Sequence, residues 1–171
     1  HYPLRRQRQM CIRDRYLQRR FSAMEFPAGA LMLEVTERGL VDIEAARPAL
    51  QAARQIGASI ALDDFGTGYS SLSMLESIDI DTLKIDRIFI ASIGAQAAIS
   101  PVTTHIIEMA HTLQLALIAE GVETQDQVDF LIARGVRQAQ GWKFARAMPL
   151  GDLLAGLRAS GRATPADAAG M

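Results

Sequence analysis

Four short apolar runs, Leu31–Val35, Ser59–Leu62, Thr82–Ile85 and Leu115–Ala119, constrain the fold more than anything else in this chain. They are too short for buried helices and too continuously apolar for strands with one wet face, so they read as strands of a parallel sheet covered on both sides. A fifth, more polar strand is expected near Val136–Gln140. Helical stretches fall between them. One runs through Ala45, Leu50, Ala53 and Ile56 and closes at Gly57, and a short one lies near Ser71–Leu75. A polar, alanine-rich connection follows Ile85, and Pro101, suited to a first helical turn, opens a helix reaching Leu113. Thr124–Gln127 has the capping-box pattern and opens a helix with Val128, Leu131 and Ile132 on its apolar side, stopped at Gly135. Asp152–Ala159 forms a last helix. This alternation predicts a parallel sheet with helices outside it.

Periodicity leaves a doubly wound sheet and a barrel both open, and the charges favour the barrel. Glu34, Asp63, Lys84 and Glu120 each sit within or just after a different strand, near its end. A (β/α)₈ barrel collects its reactive groups at one face in this way. A complete barrel needs about 250 residues, and the chain has 171. The expected fold is therefore α/β, a partial TIM-like (β/α)₈ barrel lacking the first strands.

If those ends converge, Glu34, Asp63, Asp64, Glu120 and Glu123 set up to five negative charges around Lys84. Neighbouring carboxylates raise one another's pKa unless a cation is present. Oxygen donors without cysteine or a suitably spaced histidine pair favour Mg²⁺ or Mn²⁺. His105 and His111, six apart on one helix, do not share a face. Two such ions can clamp an in-line phosphoryl displacement, with Lys84 orienting the water or stabilising phosphate charge. Each residue also has a plainer reading. Asp63-Asp64 before a glycine turn suits a solvated loop, Lys84 a buried ion pair, and Glu37 and Glu123 helix N-termini. Trp142 and Phe144 can stack on a base or fill the rim of the barrel.

Composition narrows the classes. The chain is 49% hydrophobic and 22% charged, ordinary for one globular domain. Seven of its 18 basic residues fall in the first 20 positions with one acid, so the remainder, with 11 basic and 18 acidic residues, is net −7. That charge argues against a nucleic-acid polymer as partner. A single cysteine excludes an internal disulfide and fits a cytoplasmic location. No stretch approaches the roughly 18 apolar residues of a membrane span, so any membrane anchor is expected in a segment not present here.

With these residues in view, the sequence resembles the EAL domains, bacterial phosphodiesterases that hydrolyse cyclic di-GMP to linear pGpG with Mg²⁺ or Mn²⁺. The resemblance rests, in order, on Leu33–Glu37, Leu62–Ser71, Leu83–Arg87, Ala119–Thr124 and Gln140–Trp142, and it runs from about Leu17 to Ala159. It implies Glu34, Asp63 and Asp64 as metal ligands, for two ions in the complete domain. It implies Lys84 at the catalytic water and Glu120 in the metal–water network. It further implies Glu37 as anchor of the loop containing Phe65, Gly66, Thr67 and Gly68, which couples the site to dimerisation, and Asp86, Glu123 and Gln140 as supporting or substrate-binding residues. A homodimer and an upstream sensory or GGDEF domain are expected partners of the complete protein.

The departures shape the rest of the expectation. The Glu-Ala-Leu signature and the asparagine ligand of the next strand do not occur, Trp142 stands for the usual Tyr, and Ala147 stands where Pro is common. Residues 1–15, whose Met10–Arg15 resembles translated adaptor sequence, are expected to be a non-native leader. Residues 16–160 then form a truncated EAL domain, and 161–171 a disordered tail. The chain by itself is expected to be too incomplete for full activity. The alternatives are a degenerate EAL module that binds cyclic di-GMP or a protein without catalysis, and an unrelated metal-dependent barrel enzyme of the enolase kind.

Overall fold

The computed structural model describes residues 29–40, 42–66, 75, 77–94 and 101–161. Five strands, β1 (Met32–Thr36), β2 (Ser59–Phe65), β3 (Thr82–Ile85), β4 (Ala116–Ala119) and β5 (Gln138–Ala139), form one parallel sheet in the order β1-β2-β3-β4-β5. The helices are α1 (Ile43–Gln55), α2 (Arg87–Ala91), α3 (Pro101–Thr112), α4 (Gln125–Ala133) and α5 (Leu150–Ala159), with a 3₁₀ turn at Glu37–Leu40. A doubly wound sheet reverses its strand order at a switch point. Here chain order and sheet order coincide, as in a barrel wall, which decides between the two architectures that periodicity leaves open. The leader, loop residues Thr67 and Gly68, most of the helix near Ser71–Leu75 and the tail beyond Gly161 lie outside the described residues.

The core is one cluster. Ile60, Leu62, Leu83 and Ile85, all at 0% exposure, join Leu50 of α1, Ile90 of α2, Ile107 and Ala110 of α3, and Phe130 and Leu131 of α4. β3 is buried at all four positions, as its apolar run predicts. β1 is not covered on both sides: Met32, Glu34 and Thr36 are exposed while Leu33 and Val35 are half-buried. β1 is also an edge strand among the described residues.

Three local readings need correction. The stretch after Ile85 contains a helix, α2, started by Asp86, whose Oδ1 accepts the Ile88 N–H at 2.7 Å. β5 has only two residues. In α4 the apolar side is Phe130 and Leu131, with Val128 half-buried, and Ile132 is 66% exposed. Gln127 takes the buried position instead. Its Oε1 accepts the Glu123 and Thr124 N–H groups at 2.7 and 3.1 Å, and its Nε2 donates to the Ile90 carbonyl at 3.1 Å. A polar side chain with all these bonds made can replace an apolar one inside. The capping box itself is present, Thr124 Oγ1 accepting the Gln127 N–H.

α2 is fastened at its far end. The Phe89 carbonyl accepts from Thr103 Oγ1 at 3.1 Å and from Ser92 Oγ at 2.6 Å, and Gln127 holds the Ile90 carbonyl. Its Phe89 ring lies over Gly66, where a Cβ would stand 2.9 Å from Cζ. Gly66 has φ +88°, so both backbone and space call for glycine there.

Candidate active site

The site begins with a fault in strand pairing. Ala61 and Leu62 of β2 lie opposite Thr82 and Leu83 of β3, but Phe65 lies opposite Ile85. Asp63 and Asp64 together span what Lys84 spans alone, which is a β-bulge. Asp64 takes φ +58°, and its N–H donates to Asp63 Oδ1 at 3.0 Å. Neighbouring residues of a regular strand face opposite sides. The bulge removes that constraint on this pair.

Lys84, 4% exposed inside the sheet, is the hub. Its Nζ lies 2.6 Å from Glu120 Oε1, 2.9 Å from Glu34 Oε1 and 3.1 Å from Asp63 Oδ1. Glu120 follows β4 directly, and the same Oε1 accepts from Gln140 Nε2 at 2.9 Å. All five strands therefore contribute to one network: Glu34 from β1, Asp63 from β2, Lys84 from β3, Glu120 after β4 and Gln140 after β5. Burial acts to lower the lysine pKa. Hydrogen bonds with Glu120, Glu34 and Asp63, together with the Glu120 charge, outweigh it and hold the ammonium above its ordinary value.

The other expected residues are arranged around this hub. Asp64 is exposed beside Asp63. Glu37 is buried at 5% exposure in the first turn after β1. Asp86, two residues past Lys84, caps α2. Glu123 is exposed, and its backbone rather than its carboxylate is tied to Gln127. Phe65 packs half-buried against the core, next to Gly66. His105 is exposed, and His111 bonds the Arg134 carbonyl through Nε2 at 2.9 Å, a link between α3 and the end of α4.

Sequence reading missed the Gly141 turn. Gly141 lies so close to the backbone of Val122 that no Cβ fits there. Val122 N–H donates to the Gln140 carbonyl at 3.1 Å, and Lys143 N–H to the Val122 carbonyl at 2.9 Å. This pairing fixes Gln140 beside Glu120. The only signal in the sequence is the glycine directly after Gln140.

The donor set is all hard oxygen, which fits Mg²⁺ or Mn²⁺ chemically. Among the described residues no group of three or more His, Cys, Asp or Glu side chains is placed to hold a metal ion by itself. The Lys84 ammonium occupies the point where three of them meet, which shows that they are arranged around a cation.

Fold and site together define a partial (β/α) barrel with a carboxylate–lysine centre at the carboxyl edge of its sheet. The chain belongs to the EAL domain family, whose model matches residues 9–147. It is 46% identical over 124 residues to the probable cyclic di-GMP phosphodiesterase PdeB of Escherichia coli, covering 72% of this chain and 23% of the relative. The crystal structure of the EAL domain of Mycobacterium smegmatis DcpA superposes with TM-score 0.77 at 38% identity, covering 88% of this chain and 68% of that one. The manganese/cy-diGMP complex of Klebsiella pneumoniae BlrP1 superposes with TM-score 0.67 at 30% identity, covering 77% of this chain and 34% of that one. The chain spans 17–25% of the length of the first four curated relatives.

Proposed function

We propose that this chain is the carboxyl-terminal part of a metal-dependent phosphodiesterase domain that hydrolyses cyclic di-GMP to pGpG. The observation that carries the reading is the Lys84 network, in which five successive strand ends supply three acids, a lysine and a glutamine to one point. PdeB, named a probable cyclic di-GMP phosphodiesterase, and the BlrP1 complex with manganese and cyclic di-GMP support the choice of substrate and metal.

In this reading Glu34, Asp63 and Asp64 hold Mg²⁺ or Mn²⁺, in two positions in the complete domain. The bound metal supplies Lewis acidity and lowers the pKa of water. Lys84 stays charged, so it orients the attacking water and offsets phosphate charge rather than taking a proton. Glu120, held by Lys84 and Gln140, accepts hydrogen bonds from that water. Glu37 anchors the loop that begins at Phe65, and Asp86 and Glu123 support the rim. Water oxygen adds to phosphorus, one ester P–O bond breaks, and the freed 3′-oxygen takes up a proton. No helix among the described residues is long and apolar enough to cross a membrane. A cytoplasmic domain, a homodimer and an upstream sensory or GGDEF domain belong to the same proposal.

The test is incubation of the chain with cyclic di-GMP and Mn²⁺, with pGpG followed by chromatography. Slow formation of pGpG that disappears in Lys84→Met supports the reading. Turnover equal to that of a complete domain refutes the incompleteness, and formation of pGpG unchanged in Lys84→Met refutes the assignment. A second reading is ligand binding without hydrolysis. Saturable binding with no pGpG at any Mn²⁺ concentration is its signature.

A further inference from the structure

Beyond the acids, the turn after β5 carries an unusual surface. Trp142 and Phe144 are 63% and 56% exposed, and the Arg146 guanidinium lies 4.5 Å from the Trp142 ring centre. Lys143, between the aromatics, is also exposed. This segment is not a free tail. Its backbone is pinned to Val122, two residues past Glu120, and Gln140, two residues before Trp142, bonds the Glu120 carboxylate. Trp142 is thereby tied to the rim of the acid centre on the β4–β5 side.

Two features of this surface suit one ligand chemistry. An indole with a cation on one face is held in orientation while its other face remains free for a flat ring. An exposed aromatic backed by arginine is how proteins take unpaired bases without reading their edges. The charges complement it. Glu34, Asp63, Asp64 and Glu120 against one lysine make the centre net negative until a metal is bound, whereas Lys143 and Arg146 put positive charge at the rim.

We propose that Trp142, oriented by Arg146, is a stacking platform for a guanine base of the ligand whose phosphodiester lies at Lys84, with Lys143 and Arg146 offsetting phosphate charge. This rests on the cyclic-dinucleotide reading above and adds a binding contact to it.

Trp142 is the sole tryptophan of the chain, so its emission reports directly on the platform. The 171-residue chain is titrated with cyclic di-GMP in Mg²⁺, following calorimetric heat and tryptophan emission in parallel. The expected result is saturable quenching with the calorimetric midpoint. Trp142→Leu should bind on the order of tenfold or more weakly, and Trp142→Phe, which keeps an aromatic face, should recover most of that loss. Cyclic di-UMP, with a smaller ring, should quench less. Calorimetric binding with unchanged emission, or Trp142→Leu binding as the parent does, overturns the platform and leaves the cyclic di-GMP reading standing. No heat at millimolar ligand overturns both.

Discussion

Lys84→Met removes the charge at the hub while keeping a side chain of similar length. In the parent the ammonium, with its side chain 5% exposed, touches Glu120, Glu34 and Asp63 at 2.6, 2.9 and 3.1 Å. Removing one partner of a buried ion pair costs about 3–5 kcal/mol, because the other charge is left uncompensated. Here the acids left behind keep some water: their side chains are 20%, 49% and 21% exposed in the same order. Glu34, half in solvent, contributes little, which places the cost at about 2–3 kcal/mol. For a domain of this size that lowers Tm by about 4–12 °C. The sign with pH follows from the raised lysine pKa. Stability from Lys84 is fully present below the ordinary lysine value and is lost only as pH rises through the raised one, so the lysine itself titrates nowhere near neutrality. Urea unfolding of both proteins without metal at pH 7, followed by far-UV circular dichroism, measures the cost. A difference below about 0.5 kcal/mol refutes Lys84 as the counter-charge of this cluster.

Gln127→Leu leaves the Glu123 and Thr124 N–H groups and the Ile90 carbonyl without their side-chain partner, and should cost about 2–3 kcal/mol in denaturant unfolding. Gly141→Ala drives a Cβ into the Val122 backbone and should cost about 2 kcal/mol or more, with a lowered Tm by calorimetry. Asp63→Asn should weaken Mn²⁺ binding by about tenfold, read from the electron paramagnetic resonance of free Mn²⁺, whereas Asp129→Asn on the exposed face of α4 should not.

β2 and β3 were legible, because burial on both faces selects a continuous apolar run, and β3 coincides with its predicted bounds. So was the meeting of Glu34, Asp63, Lys84 and Glu120, since a parallel sheet carries every strand end to the same edge. What was not legible depended on neighbours distant in sequence. Ile132 fits the apolar face of α4 on periodicity, yet Gln127 is buried because its partners include the Ile90 carbonyl, 37 residues away. The bulge at Asp63-Asp64 is a property of two strands, and β2 alone does not reveal it. α2 was missed although Asp86 announces it, because a five-residue helix offers too little periodicity to register. The EAL resemblance supplied the roles of Glu37 and of the loop after Phe65, which no spacing argument reaches.

The fastening of α2 has a mechanical consequence. This one-turn helix leaves β3 two residues beyond Lys84, its far end is tied by Thr103 of α3 and Gln127 of α4, and its Phe89 ring rests on Gly66, two residues beyond Asp64. The bulge that carries the acids is therefore braced, through one short helix, against two helices of the outer wall.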